Sequence, residues 1–285
     1  MKFLVLGCNG MAGHLISTYL QEQGHEVVGF ARSPSLYVNT IVGDATDLCS
    51  VKSAVESQKY DTIINCIGVL NQFAENNKSR AVFLNSYLPH YLVDITKGTD
   101  SQIIQMSTDC VFSGNRGQYT EDDLKDGSTF YDRTKALGEI DDDKNITLRD
   151  SIVGPDINAN GIGLFNWFMK QKDSVDGYTK VIWTGLTTLE LAKVMESAAL
   201  NRSSGLYNIV PDESISKCDL LRLFNKYFRN NEITINPVNK ISSDKSLIRV
   251  RRGFDYRVPD YESMVAELAK WVGDHRTMYP HYTYS

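Results

Sequence analysis

Short apolar runs alternate with longer amphipathic stretches through the first half of the chain. Phe3–Leu6, Glu26–Phe30, Thr40–Val42, Thr62–Ile67, Gln102–Met106 and Ile146–Leu148 include several runs rich in Val and Ile, and all six read as strands. Between them, helical patterns cover Met11–Gln23, Leu48–Ser57 and Arg80–Lys97. Strands separated by single helices imply βαβ units and a parallel sheet covered on both faces. Right-handed crossovers wind such a sheet into a doubly wound α/β layer.

The pattern changes after Arg149. A Gly/Asn-rich stretch from Gly154 to Gly163 reads as a loop. Helical patterns follow at Leu189–Leu200, Lys217–Phe228 and Tyr261–Val272, with short strands near Leu206–Val210 and Glu232–Ile235. This predicts a smaller α+β cap, with the division near residue 150 and the second part free to interleave with the first. No internal repeat or low-complexity segment interrupts either half.

Composition narrows the function classes. The formal net charge of −5 leaves no polybasic surface for nucleic-acid phosphates, so no nucleic-acid partner is expected. The five cysteines are scattered, with no C-x-x-C pair, which predicts reduced thiols in the cytoplasm rather than zinc or disulfides. No stretch reaches the roughly 18 apolar residues of a membrane span, so a soluble protein without a membrane partner is expected. The five histidines lack ligand spacing, and Asp141, Asp142 and Asp143 point in different directions, so no metal site is predicted.

Gly7-Cys8-Asn9-Gly10-Met11-Ala12-Gly13 follows the first strand and opens the first helix. Glycines there permit a tight turn and close backbone approach to a pyrophosphate, and the helix N-terminus supplies N–H groups and a favourable dipole. This makes residues 1–150 a Rossmann-like dinucleotide-binding domain and leaves 151–285 mainly for substrate. Gly7, Asn9, Gly10, Met11 and Gly13 are the candidate cofactor residues of the turn. The second strand ends in Phe30-Ala31-Arg32-Ser33, with an arginine and no carboxylate, which favours a 2′-phosphate and hence NADPH, with NADH as second choice. Asp44, at the end of the third strand, is either an adenine-edge residue or a loop cap.

Tyr131 and Lys135 stand four apart, on one face if the segment is helical. A tyrosine with a pKa of about 10 is a poor proton shuttle at neutral pH. A nearby ammonium is expected to lower it. Upstream, after a strand, stands Ser107-Thr108-Asp109-Cys110-Val111-Phe112-Ser113-Gly114.

Taken together, the glycine turn, the Ser107–Gly114 segment, Gly117-Gln118-Tyr119-Thr120-Glu121 and Tyr131–Glu139 resemble the extended short-chain dehydrogenase/reductase family. Within it they are similar to the dTDP-4-dehydrorhamnose reductases and related nucleotide-sugar reductases of polysaccharide synthesis. The resemblance extends over nearly the whole chain, through Asn65-Cys66-Ile67-Gly68, Asn85 and Gly205-Leu206-Tyr207-Asn208. It implies Thr108 on the substrate carbonyl, Tyr131 as general acid and Lys135 tuning it while holding the nicotinamide ribose. It also implies Cys66, Ile67 and Gly68 beside the cofactor, with Asp109, Val111 and Phe112 on the substrate side. Cys110 replaces the tyrosine usual in rhamnose-pathway enzymes and looks more like capsular amino-sugar reductases.

The function so implied is NADPH-dependent reduction of the C4 keto group of a nucleotide-linked 4-keto-6-deoxy sugar. A UDP-linked 4-keto amino-sugar reductase, a nucleotide-sugar epimerase or dehydratase, and a non-catalytic nucleotide-binding regulatory subunit are the alternatives. A homodimer is left open. Arg249 and Arg252, in the densest basic cluster, are candidates for the substrate diphosphate or for a solvated face.

Overall fold

The computed structural model describes residues 1–282. Its centre is a seven-stranded sheet. The first six strands are β1 (Lys2–Leu6), β2 (Glu26–Ala31), β3 (Asn39–Val42), β4 (Thr62–Asn65), β5 (Gln102–Met106) and β6 (Ile146–Arg149). The seventh, Gly205–Asn208, comes from the later half of the chain and lies at the edge beside β6. Across the sheet the order is β3-β2-β1-β4-β5-β6 and then Gly205–Asn208, and every neighbouring pair is parallel. The chain order reverses between β1 and β4, which opens a crevice at the carboxyl ends of these strands.

Alternation along each strand feeds two cores. Phe3 and Val5 of β1 join Ile64, Ile104 and Ile146 on one face, under the helices Met11–Glu22, Thr188–Leu200 and Tyr261–Asp274. Leu4 and Leu6 join Ile63 and Ile103 on the other face, under Leu48–Glu56 and Leu88–Ile95. A strand buried on both faces must be apolar at successive positions, which is why these runs lack the polar alternation of a half-exposed strand.

The predicted helix Arg80–Lys97 is built in three pieces: an α-turn Lys78–Ala81, a π-helix Val82–Tyr87 and the α-helix Leu88–Ile95. The predicted fourth strand stops at Asn65, whose Oδ1 accepts the Ile67 N–H and turns the chain. The strand expected at Glu232–Ile235 runs from Thr234 to Val238, because Asn230 and Asn231 take positive φ and extend the preceding turn. It pairs in parallel with Ser174–Tyr178. The Gly154–Gly163 loop is irregular as expected, and Gly163 lies against Met11 at the glycine turn.

Candidate active site

The turn after β1 is a backbone construction. Gly7 sits at φ +84°, a left-handed conformation that suits glycine. A Cβ on Gly13 would overlap the Gly7 carbonyl oxygen, so the first helix can approach the turn only with glycine there. Gly10 is different, being exposed with ordinary φ. The helix that starts at Met11 has no capping side chain and no acidic residue in its first turn. Its leading N–H groups are therefore left to an anion.

Asn9 donates from Nδ2 to the Ser33 carbonyl (2.9 Å) and so ties the turn to the loop after β2. Arg32 projects there, exposed. Asp44 accepts the Thr46 N–H (2.9 Å) and hydroxyl (2.8 Å), as a loop cap does. Those bonds first, then the nearby Arg80 and Arg32, hold its carboxyl below the usual range. Across the crevice, Gly7 faces Cys66 and Ile67. Burial pushes the Cys66 thiol up to about 12, so it is a neutral packing group. This cradle of glycines, uncommitted helix N–H groups and an exposed arginine fits a dinucleotide with a 2′-phosphate.

The opposite wall is a ledge of side chains at the ends of β5 and β6. The segment after β5 continues to pair beyond the strand: Ser107 N–H donates to Leu148 O (2.8 Å) and Asp109 N–H to Asp150 O (3.1 Å). Tyr131 and Lys135 lie on the helix Phe130–Leu137, which starts with a reciprocal capping box between Thr129 and Asp132. Lys135 Nζ donates to Met106 O at 2.7 Å, the last residue of β5. Thr108, two residues further on, stands close enough to Tyr131 for its hydroxyl to pull the phenol's pKa down, while donating to Asp109 Oδ1 at 3.1 Å. Thr108, Tyr131 and Lys135 are thus brought together.

The electrostatics differ from expectation in one respect. Burial, not Lys135, governs the Tyr131 phenol and raises its pKa, with only the Thr108 hydroxyl pulling it down. The phenol is therefore fully protonated at neutral pH. Burial also lowers Lys135 to about 8, against the pull of Glu139, Asp150 and Cys66.

Asn85 locks the ledge. It occupies the π-helix, accepts the Val69 N–H (2.7 Å), and donates to Val69 O (2.9 Å) and to the Thr134 hydroxyl (3.0 Å). Gly138, just past the tyrosine helix, lets the two backbones touch, since a Cβ there would overlap the Asn85 carbonyl oxygen. Deeper still, Glu139 receives Arg149 through Nε and Nη2 (both 2.8 Å), Ser107 Oγ (2.6 Å) and Lys125 Nζ (2.6 Å). Arg149 is wholly buried and donates onward to Asn208 Oδ1 (3.1 Å).

Other expected residues lie elsewhere. Val111 and Phe112, expected against substrate, pack with Tyr119 and Leu247 in a small core; the Phe112 ring stacks on Tyr119 at 4.4 Å. That burial leaves their side chains no surface for a ligand. Arg249 donates to Phe254 O (3.4 Å), and Arg252 is exposed without a polar partner among the described residues. None of their hydrogen bonds or ion pairs goes to the Thr108–Tyr131–Lys135 cluster. Arg251, between them, is held by Asp122 (2.7 Å) and Asp141 (2.9 Å). Asp109 is buried beside Thr108, and burial raises its carboxyl.

Sequence reasoning missed Lys217, whose charge acts on Asp109 and Cys110. A signal was present: a lysine at the first position of a helix stands against the dipole. It also missed Asp150, a buried carboxyl with Oδ2 unpartnered, acted on by Asp109 and Lys135.

The family model of the RmlD substrate-binding domain matches residues 1–253. The chain belongs to this family. Among curated relatives of this RmlD-family chain is a dTDP-4-dehydrorhamnose reductase of Streptomyces griseus, 30% identical over 140 residues, 48% of this chain and 43% of the relative. A probable low-salt glycan biosynthesis reductase of Haloferax volcanii is 32% identical over 143 residues, 49% and 48% of the two chains. The matches thus span less than half of these relatives. A solved dTDP-4-dehydrorhamnose reductase of Bacillus anthracis, in complex with NADP, superposes with a TM-score of 0.79 at 18% identity, covering 94% of this chain and 98% of that one. This RmlD-family chain therefore has the Rossmann-like doubly wound fold that its sequence predicted. Among the described residues no helix is long and apolar enough to cross a membrane, and no group of three or more His, Cys, Asp or Glu could hold a metal ion.

Proposed function

We propose that the chain is an NADPH-dependent reductase of the C4 keto group of a nucleotide-linked 4-keto-6-deoxy sugar. The observation that carries this reading is the ledge itself: a threonine hydroxyl beside a protonated tyrosine, with a buried lysine one helical turn on. The RmlD-family membership and the relatives' names support the sugar-nucleotide class.

Gly7, Gly10, Gly13, Met11 and Arg32 would hold NADPH, with Cys66, Ile67 and Gly68 across the crevice. Bound there, it would supply the hydride. The rest is done by side chains of the chain. Thr108 donates a hydrogen bond to the carbonyl oxygen and stabilises the charge that gathers on it. Tyr131 gives that oxygen its proton; a phenol with a raised pKa is in the protonated state that reduction requires. Lys135 contributes positive charge behind the tyrosine while its ammonium is anchored on Met106 O. The substrate region is proposed to come mainly from residues 151–285, and the five free cysteines agree with a cytoplasmic enzyme.

NADPH oxidation with a panel of dTDP- and UDP-linked 4-keto sugars tests the reading. Turnover is expected with at least one, and Tyr131→Phe should cut it about a hundred- to ten-thousand-fold while leaving NADPH affinity in place. Near-normal turnover of that variant would overturn the mechanism.

A further inference from the structure

Outside the catalytic trio the site holds a charge arrangement that the reaction does not use. Lys217 leads the helix Lys217–Phe228, and its ammonium lies 4.6 Å from the centre of the Trp183 ring. It is half-buried, and burial lowers it to about 8, with Asp109 and Cys110 acting in the opposite direction. Lys245, from a separate segment beside Gly114, acts on the same Asp109 and Cys110. Neither lysine has a hydrogen bond or an ion pair among the described residues.

Asp109 is the carboxyl that acts on both. It is buried and engaged by the Thr108 hydroxyl at 3.1 Å, and burial raises its pKa while the two lysines pull it down. Cys110 is held neutral, its thiol pushed up to about 12 chiefly by burial. Two partly buried cations therefore share one buried carboxyl on the turn next to catalytic Thr108, and neither makes an ion pair among the described residues. Desolvating two ammonium groups around a single carboxyl is costly, and a cation at the start of a helix adds to the cost. Structural roles are weak accounts of it: Trp183 offers a cation–π contact to Lys217 alone, and that gives no reason for Lys245.

We propose that Lys217 and Lys245 form a seat for an anionic group of the substrate, either the diphosphate bridge of the nucleotide sugar or a carboxylate on the sugar. This rests on the nucleotide-sugar reading above, and it moves the anion contact from the arginines near residue 250 to lysines beside Thr108. The groups facing Lys217 are Asp109 and Cys110 on the turn, Trp183 beneath and Lys245 from the neighbouring segment.

Calorimetry on the full chain saturated with NADPH tests the seat without turnover. The probes are UDP, dTDP, uridine, UDP-glucose and UDP-glucuronate. If the diphosphate is the anion, Lys217→Met and Lys245→Met each weaken UDP or dTDP about tenfold or more, the size of a lost charge-assisted hydrogen bond. Uridine and NADPH binding then stay as in the unmodified chain. If a sugar carboxylate is the anion, UDP is unaffected, but the preference for UDP-glucuronate over UDP-glucose disappears in both variants. In either case anion binding by the unmodified chain weakens from pH 7 to 9, as Lys217 loses its proton, and Lys217→Met flattens that slope. Equal binding of every anionic probe to both variants overturns the seat, as does failure of all of them to bind the unmodified chain. Absence of sugar reduction alongside selective loss of UDP affinity would sink the reductase reading and leave the seat standing.

Discussion

The two walls of the crevice are made in different ways. On the β1 side the surface is backbone: a left-handed Gly7, a Gly13 pressed on the Gly7 carbonyl and helix N–H groups without a cap. On the β5–β6 side it is side chains whose charges and protonation are set by burial: Tyr131, Lys135, Asp109, Asp150 and Lys217. A backbone surface suits a ligand part that never changes, such as a pyrophosphate. A side-chain surface can be altered one group at a time, which is where differences between substrates can be written.

That contrast can be broken most severely at the first wall. Gly13→Val should yield no soluble folded protein, because the added carbons meet backbone that cannot move aside. Gly10→Val, at an exposed position, should keep its circular dichroism and melting temperature yet lose NADPH binding. Normal NADPH binding by Gly10→Val would remove the turn from the cofactor site.

Behind the second wall, Glu139→Gln should cost about 3–5 kcal/mol in urea unfolding, since it strips the buried Arg149 of its counter-charge. Removing Asp122 from the partly exposed Arg251 should cost no more than about 1 kcal/mol in the same assay. Equal losses would mean that burial does not set the worth of these pairs.

Cofactor choice is a smaller effect. NADPH should bind more tightly than NADH, and Arg32→Asp should narrow or reverse the difference in a fluorescence titration. Equal affinities in the unmodified chain would deny Arg32 its role.

The smallest effect concerns Asp150. Burial raises its carboxyl well above the ordinary value, Asp109 adds to this and Lys135 opposes it. The folded chain therefore keeps a proton that the unfolded chain has released, and stability is lost as pH rises from about 4. Asp150→Asn cannot titrate. Its melting temperature should gain on the unmodified chain between pH 4 and pH 7, and a constant gap would show that Asp150 is ionised in the folded state.

The first wall was legible in the sequence because its information is local: a strand, glycines at short spacing and a helix, all within thirteen residues. Tyr131 and Lys135 were legible for the same reason. The π-helix around Asn85 was not, because apolar spacing of three and four does not distinguish one wider turn from its α-helical neighbours. The lowered phenol pKa was also misjudged: spacing put an ammonium near Tyr131, but only packing shows how deeply both are buried. Lys217 and Lys245 were missed because they act on Asp109 from more than a hundred residues further along the chain, a distance that no local pattern bridges. The basic run near Arg249 drew attention by density, yet Arg251 is spent on two aspartates.

The edge strand also sets a schedule for the growing polypeptide. Arg149 ends β6, and its Asn208 partner is made 59 residues later. At about 5–20 residues per second, a ribosome needs roughly 3–12 s to cover that distance. Through that interval β6 presents an open row of peptide groups and a guanidinium that has Glu139 but not yet Asn208. An unfinished edge of this kind invites pairing with another nascent chain. Synthesis rate between residues 149 and 208 is thus a quantity to which the yield of native protein should respond, more than to the rate over the β1–β5 segment.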